Sequence, residues 1–530
     1  MPPEEPNPGP KATTKTAPDK PPSMLSMILP QLPLMLRVAL FHILRLSEQS
    51  KYLDLRTELI VAVMRAYINP SQPWSITATQ KLLSHHPPIK GRIWISTYTC
   101  PPPPAGETGL QDALTRAIDG LWNPKTPRAA YQLPDPAPVE AEWTGYRAAA
   151  ASDAQLPQVS QRELYAEMMK EVKNPVTVLY FHGGAYWLMD PATHRQTTKT
   201  LAKLTGGRVY SVRYRLAPQN PFPAALMDAL MSYLALLYPP EGAFHEPVKP
   251  EHIVFAGDSA GGNLALSLLQ LLLHLSHHSH PVPIPWHGWA TAAPLPLPAG
   301  VAVNSPWLDL THSSPSCTAN AAFDYLPTPE QQRLAEAKRP PCAAWPPDNT
   351  TTDTTTATTA TGHPPRKHLY APDALLTHPL VTLLLAPSWR GAPPTYICAG
   401  WELLADEDRH AARKMWRDGA RTVVLEEYEG MPHCFGLVLP HLKEARRCLA
   451  GWAGFIKGAV AAAGEGRDGG GGVGESRFVT IRAKTLEEEV VDPREVCEGG
   501  RFEKEEAEVE ERIWRRVRGG LLSEEGIAKL

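Results

Sequence analysis

The chain has 530 residues, with 52 Lys+Arg against 55 Asp+Glu and a formal net charge of −3. That balance excludes the broad basic footprint of a nucleic-acid-binding surface. Apolar residues make up 43%, enough for a large core, but the 57 prolines are roughly twice ordinary usage and place much of the length in loops. Length suggests two to three domains. The seven cysteines (Cys100, Cys317, Cys342, Cys398, Cys434, Cys448, Cys497) are odd in number and contain no CxxC pair. A disulfide framework and a cysteine zinc site are therefore not expected, and a reducing compartment fits best.

Residues 1–23 are proline-rich and polar, which reads as a disordered leader. No apolar stretch follows Met1 closely enough for a signal peptide. Residues 24–46 are strongly apolar, but Pro30 and Pro33 break their start and Arg37, His42 and Arg45 punctuate the rest. A spanning helix needs about 20 mainly apolar residues, and charges within it are costly. The segment therefore reads as a packed or interfacial helix in an N-terminal cap over 24–89, as a membrane-surface segment, or as a poor signal anchor. A second helix is expected near Arg56–Ile68.

From residue 90 the pattern changes. Arg92–Thr99 and Val139–Arg147 alternate like strands. Short apolar runs follow at Val176–Phe181, Val209–Tyr214, Ile253–Ala256, Val301–Val303, Tyr396–Cys398 and Val423–Tyr428. Helical patterns lie between them, around 193–204, 222–237, 260–275, 405–418 and 440–457. This alternation predicts an α/β fold over 90–460, with a mostly parallel sheet and helices on both faces. Insertions near 276–300 and 340–365 read as surface loops, the second carrying the threonine-rich run Asn349–Gly362. Residues 461–530 read as a disordered charged tail, with one solvated helix possible near 502–517.

The strongest chemical signal is Gly257-Asp258-Ser259-Ala260-Gly261, preceded by HIVFA and followed by GNLALSLLQLLLHL. A strand, a tight turn and a helix are the setting a nucleophilic serine requires. Small flanking residues let the backbones crowd together, and the helix N-terminus faces developing negative charge. His182-Gly183-Gly184-Ala185 directly follows VTVLYF. Backbone N–H donors in such a loop can stabilise an acyl-transfer oxyanion by about 2.7–4 kcal/mol each.

A serine nucleophile needs a histidine base, and the base needs a carboxylate. The chain order for this architecture is serine, acid, histidine. His433 follows the strand VVLEEY in the loop EGMPHCFG, where active-site loops of an open sheet gather. Past the strand TYICAG stand Glu402, Asp406, Glu407 and Asp408. Glu402 lies at the strand end and is the preferred acid; Asp406 is the alternative, since the later three fit a helix start.

HGGA, YRLAPQNPFPAALMDAL, GDSAGGNLAL, SPWLDLT and EGMPHCFG occur in this order. Together they resemble the hormone-sensitive-lipase-like esterases of the α/β-hydrolase fold, in particular fungal members related to arylacetamide and steryl deacetylases. The resemblance covers roughly 90–460. It implies Ser259 as nucleophile, His433 as base, and an oxyanion hole of Gly183, Gly184 and Ala260. Two departures stand out. The family more often has HGGG, and Ala185 in the fourth position would narrow the acyl pocket. Its acid is usually aspartate, where Glu402 stands here.

The implied activity is cleavage of short to medium acyl esters, deacetylation included, by an acyl-enzyme route with no metal or organic cofactor. The alternatives are a catalytically silent ligand-binding module on the same fold, or an amide or lactone hydrolase. The implied partner is a small-molecule ester, with membrane-surface contact through 24–46 and no nucleic acid. The expected location is intracellular, cytoplasmic or membrane-associated; Ala528-Lys529-Leu530 resembles a peroxisomal address. Tyr214–Pro218 and Asp258 read as structural supports, His274, His277, His278 and His280 as a solvated loop, and Asn349-Thr350-Thr351 as an incidental glycosylation pattern.

Overall fold

The computed structural model describes residues 28–518, except 71, 85, 87, 125, 127, 129–130, 278–280, 341–367, 466–473 and 499. The expectations for 1–23, the threonine-rich run, the Asn349 pattern, His278, His280 and Ala528–Leu530 lie outside the described residues.

Ten strands form one sheet: β1 (Ile93–Cys100), β2 (Val139–Tyr146), β3 (Thr177–Phe181), β4 (Arg208–Arg213), β5 (Ile253–Asp258), β6 (Gly300–Asn304), β7 (Thr395–Gly400), β8 (Val423–Tyr428), β9 (Arg477–Ile481) and β10 (Glu488–Val491). Their spatial order is β1-β2-β4-β3-β5-β6-β7-β8-β9-β10. From β4 across to β9 every pairing is parallel; β1, β2 and β10 add antiparallel edges.

Every residue of β3, β5, β6, β7 and β8 is buried. Such strands read as continuous apolar runs because helices cover both faces. On one face the helices Ala224–Leu237 and Ala260–Ser276 sink almost entirely into the core. On the other, helices Pro191–Thr205 and Lys443–Gly464 pack against the sheet. Local chemistry sets their ends. Asp190 caps Thr193 N–H, Pro191 occupies the first turn, and Gly206 closes that helix at φ 68°.

Register places the functional loops side by side. Phe181 pairs with Gly257, Asp258 with Asn304, and Gly400 with Tyr428. The segments carrying His182, Ser259, Ser305, Glu402 and His433 thus all leave the carboxyl ends of parallel strands, where open α/β sheets place their sites.

Two regions differ from the sequence expectation, and the expected N-terminal helices are present. The described part of 276–300 is anchored: Ile284 and Trp286 are buried, and Trp286 Nε1 donates to Tyr238 O at 2.9 Å. Its composition hid these anchors among His, Pro and Ala. Residues 474–518 are not a disordered tail. β9 extends the sheet beside β8, and the helix Arg501–Arg518 buries Val509 and Ile513 in the core and Phe502 against His410. Its many charges face outward or pair with the helix Ala405–Arg417, as in Arg413–Glu505 at 2.7 Å. At the N-terminus, the helix Leu32–Ile43 buries none of its residues, although it lies against the helix Leu55–Ile68. No described helix is long and apolar enough to cross a membrane.

Candidate active site

Ser259 directly follows β5, with φ 52° and ψ −122°, a conformation unfavourable for a side-chain-bearing residue and typical of stored strain at functional sites. Its surroundings hold it there. Ser259 N donates to Asn304 O at 3.0 Å, and Ser259 O accepts from Trp307 N at 3.0 Å and Asn263 N at 3.1 Å. The two motif glycines follow from crowding. A Cβ on Gly257 would stand 2.7 Å from Phe181 O, and one on Gly261 2.5 Å from His182 O. Ala260 opens the helix Ala260–Ser276, whose leading N–H groups have no intrahelical acceptor.

The loop after β3 lies against this turn. Gly184, Ala185 and Tyr186 all have positive φ, at 111°, 53° and 66°. A Cβ on Gly183 would strike the Asp258 carboxylate. Asp258 is itself buried, accepting from Tyr180 Oη at 2.5 Å and pairing with His194 Nε2 at 3.3 Å. Burial opposes its charge, but His194 and the hydrogen bonds prevail and lower its pKa. Asp258 therefore supports the loop from below. His182 stacks on Tyr214 with centroids 4.3 Å apart, and Tyr214 Oη donates to His182 O at 2.6 Å. Burial pushes His182 down to about 3, so it is neutral. The second motif, Tyr214–Pro218, thus underlies the His182–Ala185 loop.

Glu402 follows β7 and His433 follows β8; both are buried. His433 Nδ1 hydrogen-bonds Glu402 Oε2. Burial disfavours the charged ring, but Cys434 and Glu402 outweigh it and hold the His433 pKa well above 6.5. The Cys434 thiol is pushed up to about 12 by burial. Asp406 faces elsewhere: its carboxylate accepts from Ser316 N at 2.9 Å and from Arg409 at 2.7 Å. Of the two candidate acids, the structure brings Glu402 to His433. Among the described residues, no hydrogen bond joins Ser259 to His433. That contact is often long before substrate binds.

Two residues escaped the sequence reading. Ser305, with φ 45°, donates to Glu402 Oε1 at 2.5 Å and accepts from Cys434 N at 3.1 Å. Gly400 N adds a second donor to the same oxygen at 3.2 Å. Oε1 is thereby occupied, leaving Oε2 for the imidazole. The only sequence signal for Ser305 was its place in SPWLDLT. Asp324 had no signal; its carboxylate, fully buried, accepts from Leu403 N at 2.9 Å and His433 N at 3.3 Å. Burial and the neighbouring Glu402 raise its pKa against the pull of His433 and the backbone donors. Among the described residues, no cluster of His, Cys, Asp or Glu is arranged to hold a metal ion.

The assembled site has a serine on a strained turn, a glycine-bearing loop packed against that turn, and a buried histidine–carboxylate pair. This set can perform nucleophilic acyl transfer. The alpha/beta hydrolase fold family matches residues 178–341 and 339–437. An acetyl-hydrolase from Streptomyces hygroscopicus is 30% identical over 285 residues, covering 54% of this chain and 76% of that protein. An esterase from Acinetobacter venetianus is 28% identical over 279 residues, covering 52% and 73%. A crystal structure of an esterase from the bacterial hormone-sensitive lipase family aligns over 76% of this chain and 97% of its own, at 22% identity and a TM-score of 0.47.

Proposed function

Since this chain belongs to the α/β-hydrolase-fold family and is a carboxylic ester hydrolase, we propose that it cleaves short to medium acyl esters, acetyl esters included, through Ser259, His433 and Glu402. The likeness to an acetyl-hydrolase supports the acyl size. The observation that carries the assignment is the buried bond between His433 and Glu402, on the same sheet edge as the strained Ser259.

In this reading Ser259 Oγ attacks the ester carbonyl carbon while His433 Nε2 takes its proton. Glu402 holds the imidazole with Nδ1–H turned toward it and stabilises the imidazolium that forms. The oxyanion receives N–H donors from Gly183, Gly184 and Ala260. Collapse breaks the ester C–O bond, and the alcohol leaves with the proton from His433. Water then attacks the acyl-serine, giving a proton to His433, and the second collapse returns that proton to Ser259 as the acid departs.

Fluorophosphonate labelling, with turnover of 4-nitrophenyl acetate and butyrate, tests this. Ser259→Ala should abolish both labelling and turnover in a folded protein. Retained turnover would defeat the serine assignment, and an unlabelled, inactive wild type would favour a silent binding module.

The unburied apolar side chains of Leu32–Ile43, with Leu36 70% and Ile43 69% exposed, support contact of 24–46 with a membrane surface over closed packing as a cap. Flotation with phosphatidylcholine vesicles, compared before and after deletion of 1–46, tests that reading. Equal flotation would remove it.

A further inference from the structure

Asp324 sits in a stretch of turn and coil between the helices Ser316–Ala319 and Pro329–Ala337, so no sheet register fixes its position. Its Oδ1 accepts from the N–H groups of Tyr325 at 2.7 Å, Leu326 at 3.2 Å and His433 at 3.3 Å. Its Oδ2 accepts from Leu403 N at 2.9 Å, the residue after Glu402. A single carboxylate therefore grips the backbones that carry both the acid and the base. Asn320, in the same stretch, donates to Glu402 O at 3.0 Å.

The opposite side of this stretch is held from the N-terminus. Arg65, on the helix Leu55–Ile68, donates to Asp324 O from Nε at 2.8 Å and from Nη2 at 2.5 Å, and to Ala322 O at 2.8 Å. Gln49 Nε2 also donates to Ala322 O, at 2.7 Å. A continuous chain of hydrogen bonds thus runs from the N-terminal helices through residues 322–324 to the loops of Glu402 and His433.

We propose that Asp324 is a positioning residue for the Glu402–His433 pair, and that Arg65 couples it to the N-terminal helices, which thereby form part of the catalytic framework. The proposal rests on the assignment of Glu402 and His433 above. Its physical basis is alignment. Misplacing a catalytic group by about 1 Å can cost about 100-fold in rate, with little effect on substrate binding.

The test uses the full chain with Asp324→Asn and Arg65→Gln. The asparagine keeps the shape but sets an amide N–H₂ against Leu403 N–H. The glutamine loosens the grip on the 322 and 324 carbonyls and leaves Asp324 intact. Turnover of 4-nitrophenyl acetate is expressed per serine labelled after complete reaction with a fluorophosphonate. A residue that only supports folding changes the labelled fraction and leaves turnover per labelled site unaltered. The expected result is kcat per site down about 10-fold or more for Asp324→Asn and about 5-fold for Arg65→Gln, with KM within about twofold in both. Values of kcat per site within twofold of wild type in both variants would overturn the proposal. Should Asp324→Asn fail to fold, Arg65→Gln decides alone. Ser259→Ala run in parallel separates the two readings. Its retained turnover defeats the catalytic assignment, whereas its inactivity beside unaffected Asp324 and Arg65 variants defeats only the coupling.

Discussion

Gly261 packs against the carbonyl oxygen of Phe181 with no room for a Cβ between them. Phe181 ends β3 and leads into the loop His182–Ala185, so this contact sets the spacing between that loop and the Ser259 turn. Backbone meets backbone here, and neither side can rotate away as a flexible side chain would.

Gly261→Ala should therefore force β3 and the turn apart. The expected loss is about 3 kcal/mol of stability, at the upper end for overpacking. The residual folded enzyme should lose turnover more than substrate affinity. Urea denaturation and steady-state kinetics check both, and a stability within about 0.5 kcal/mol of wild type would show that the crowding is easily relieved.

Ser305→Ala removes a donor from a buried carboxylate. Hydrogen bonds to charged groups contribute about 1.5–3 kcal/mol. If that energy serves to orient Glu402, turnover should fall roughly 10- to 100-fold. Glutamate has one more rotatable bond than the usual aspartate, so this anchor matters more here. Kinetics of the purified variant decide it; turnover near wild type would mean that Gly400 N alone holds Oε1.

The pH dependence follows from His433, whose pKa is held well above 6.5. As the proposed base, His433 must be neutral to act, so the acid limb of kcat/KM should lie above pH 6.5. Glu402→Gln removes the opposing charge and should shift that limb to lower pH while reducing turnover. Stability runs the other way. A folded pKa above the unfolded value adds stability that is complete below the unfolded pKa and lost as pH rises through the folded one. Profiles of kcat/KM and Tm against pH should thus diverge on the alkaline side. A wild-type limb at or below 6.5 would contradict the pairing.

Much of this site was legible because its signals are local. The apolar runs at Val176–Phe181 and Ile253–Ala256 end in glycines, which marks both the strands and their turns. Glu402 was separable from Asp406 because a residue at a strand end and one in the first turn of a helix face different ways. Ser305 and Asp324 were not legible. Ser305 meets Glu402 across 97 residues and Asp324 meets His433 across 109, so only the folded loops bring them together. The C-terminal segment was misread for a different reason. Its buried Phe502, Val509 and Ile513 are sparse and set among charges, so the composition resembled a solvated helix.

What holds that C-terminal helix can be decided by comparing neighbouring residues. Phe502 is 1% exposed; its ring stacks on His410 with centroids 5.3 Å apart, and the Arg417 guanidinium lies 5.1 Å from its centroid. Glu503 pairs with Arg417 at 2.6 Å, but its side chain is 53% exposed. Truncating a buried phenylalanine removes both apolar contact and the filled volume, at about 3–5 kcal/mol. Exposed ion pairs contribute about 0–1 kcal/mol, because water and salt screen them. Phe502→Ala should therefore lower stability by about 3 kcal/mol, near the bottom of that range, and Glu503→Ala by less than about 1 kcal/mol. Added salt should narrow the effect of Glu503→Ala and leave that of Phe502→Ala unchanged. Urea denaturation at two salt concentrations measures both. A larger loss in Glu503→Ala would mean that charge, not packing, docks the segment onto the catalytic domain.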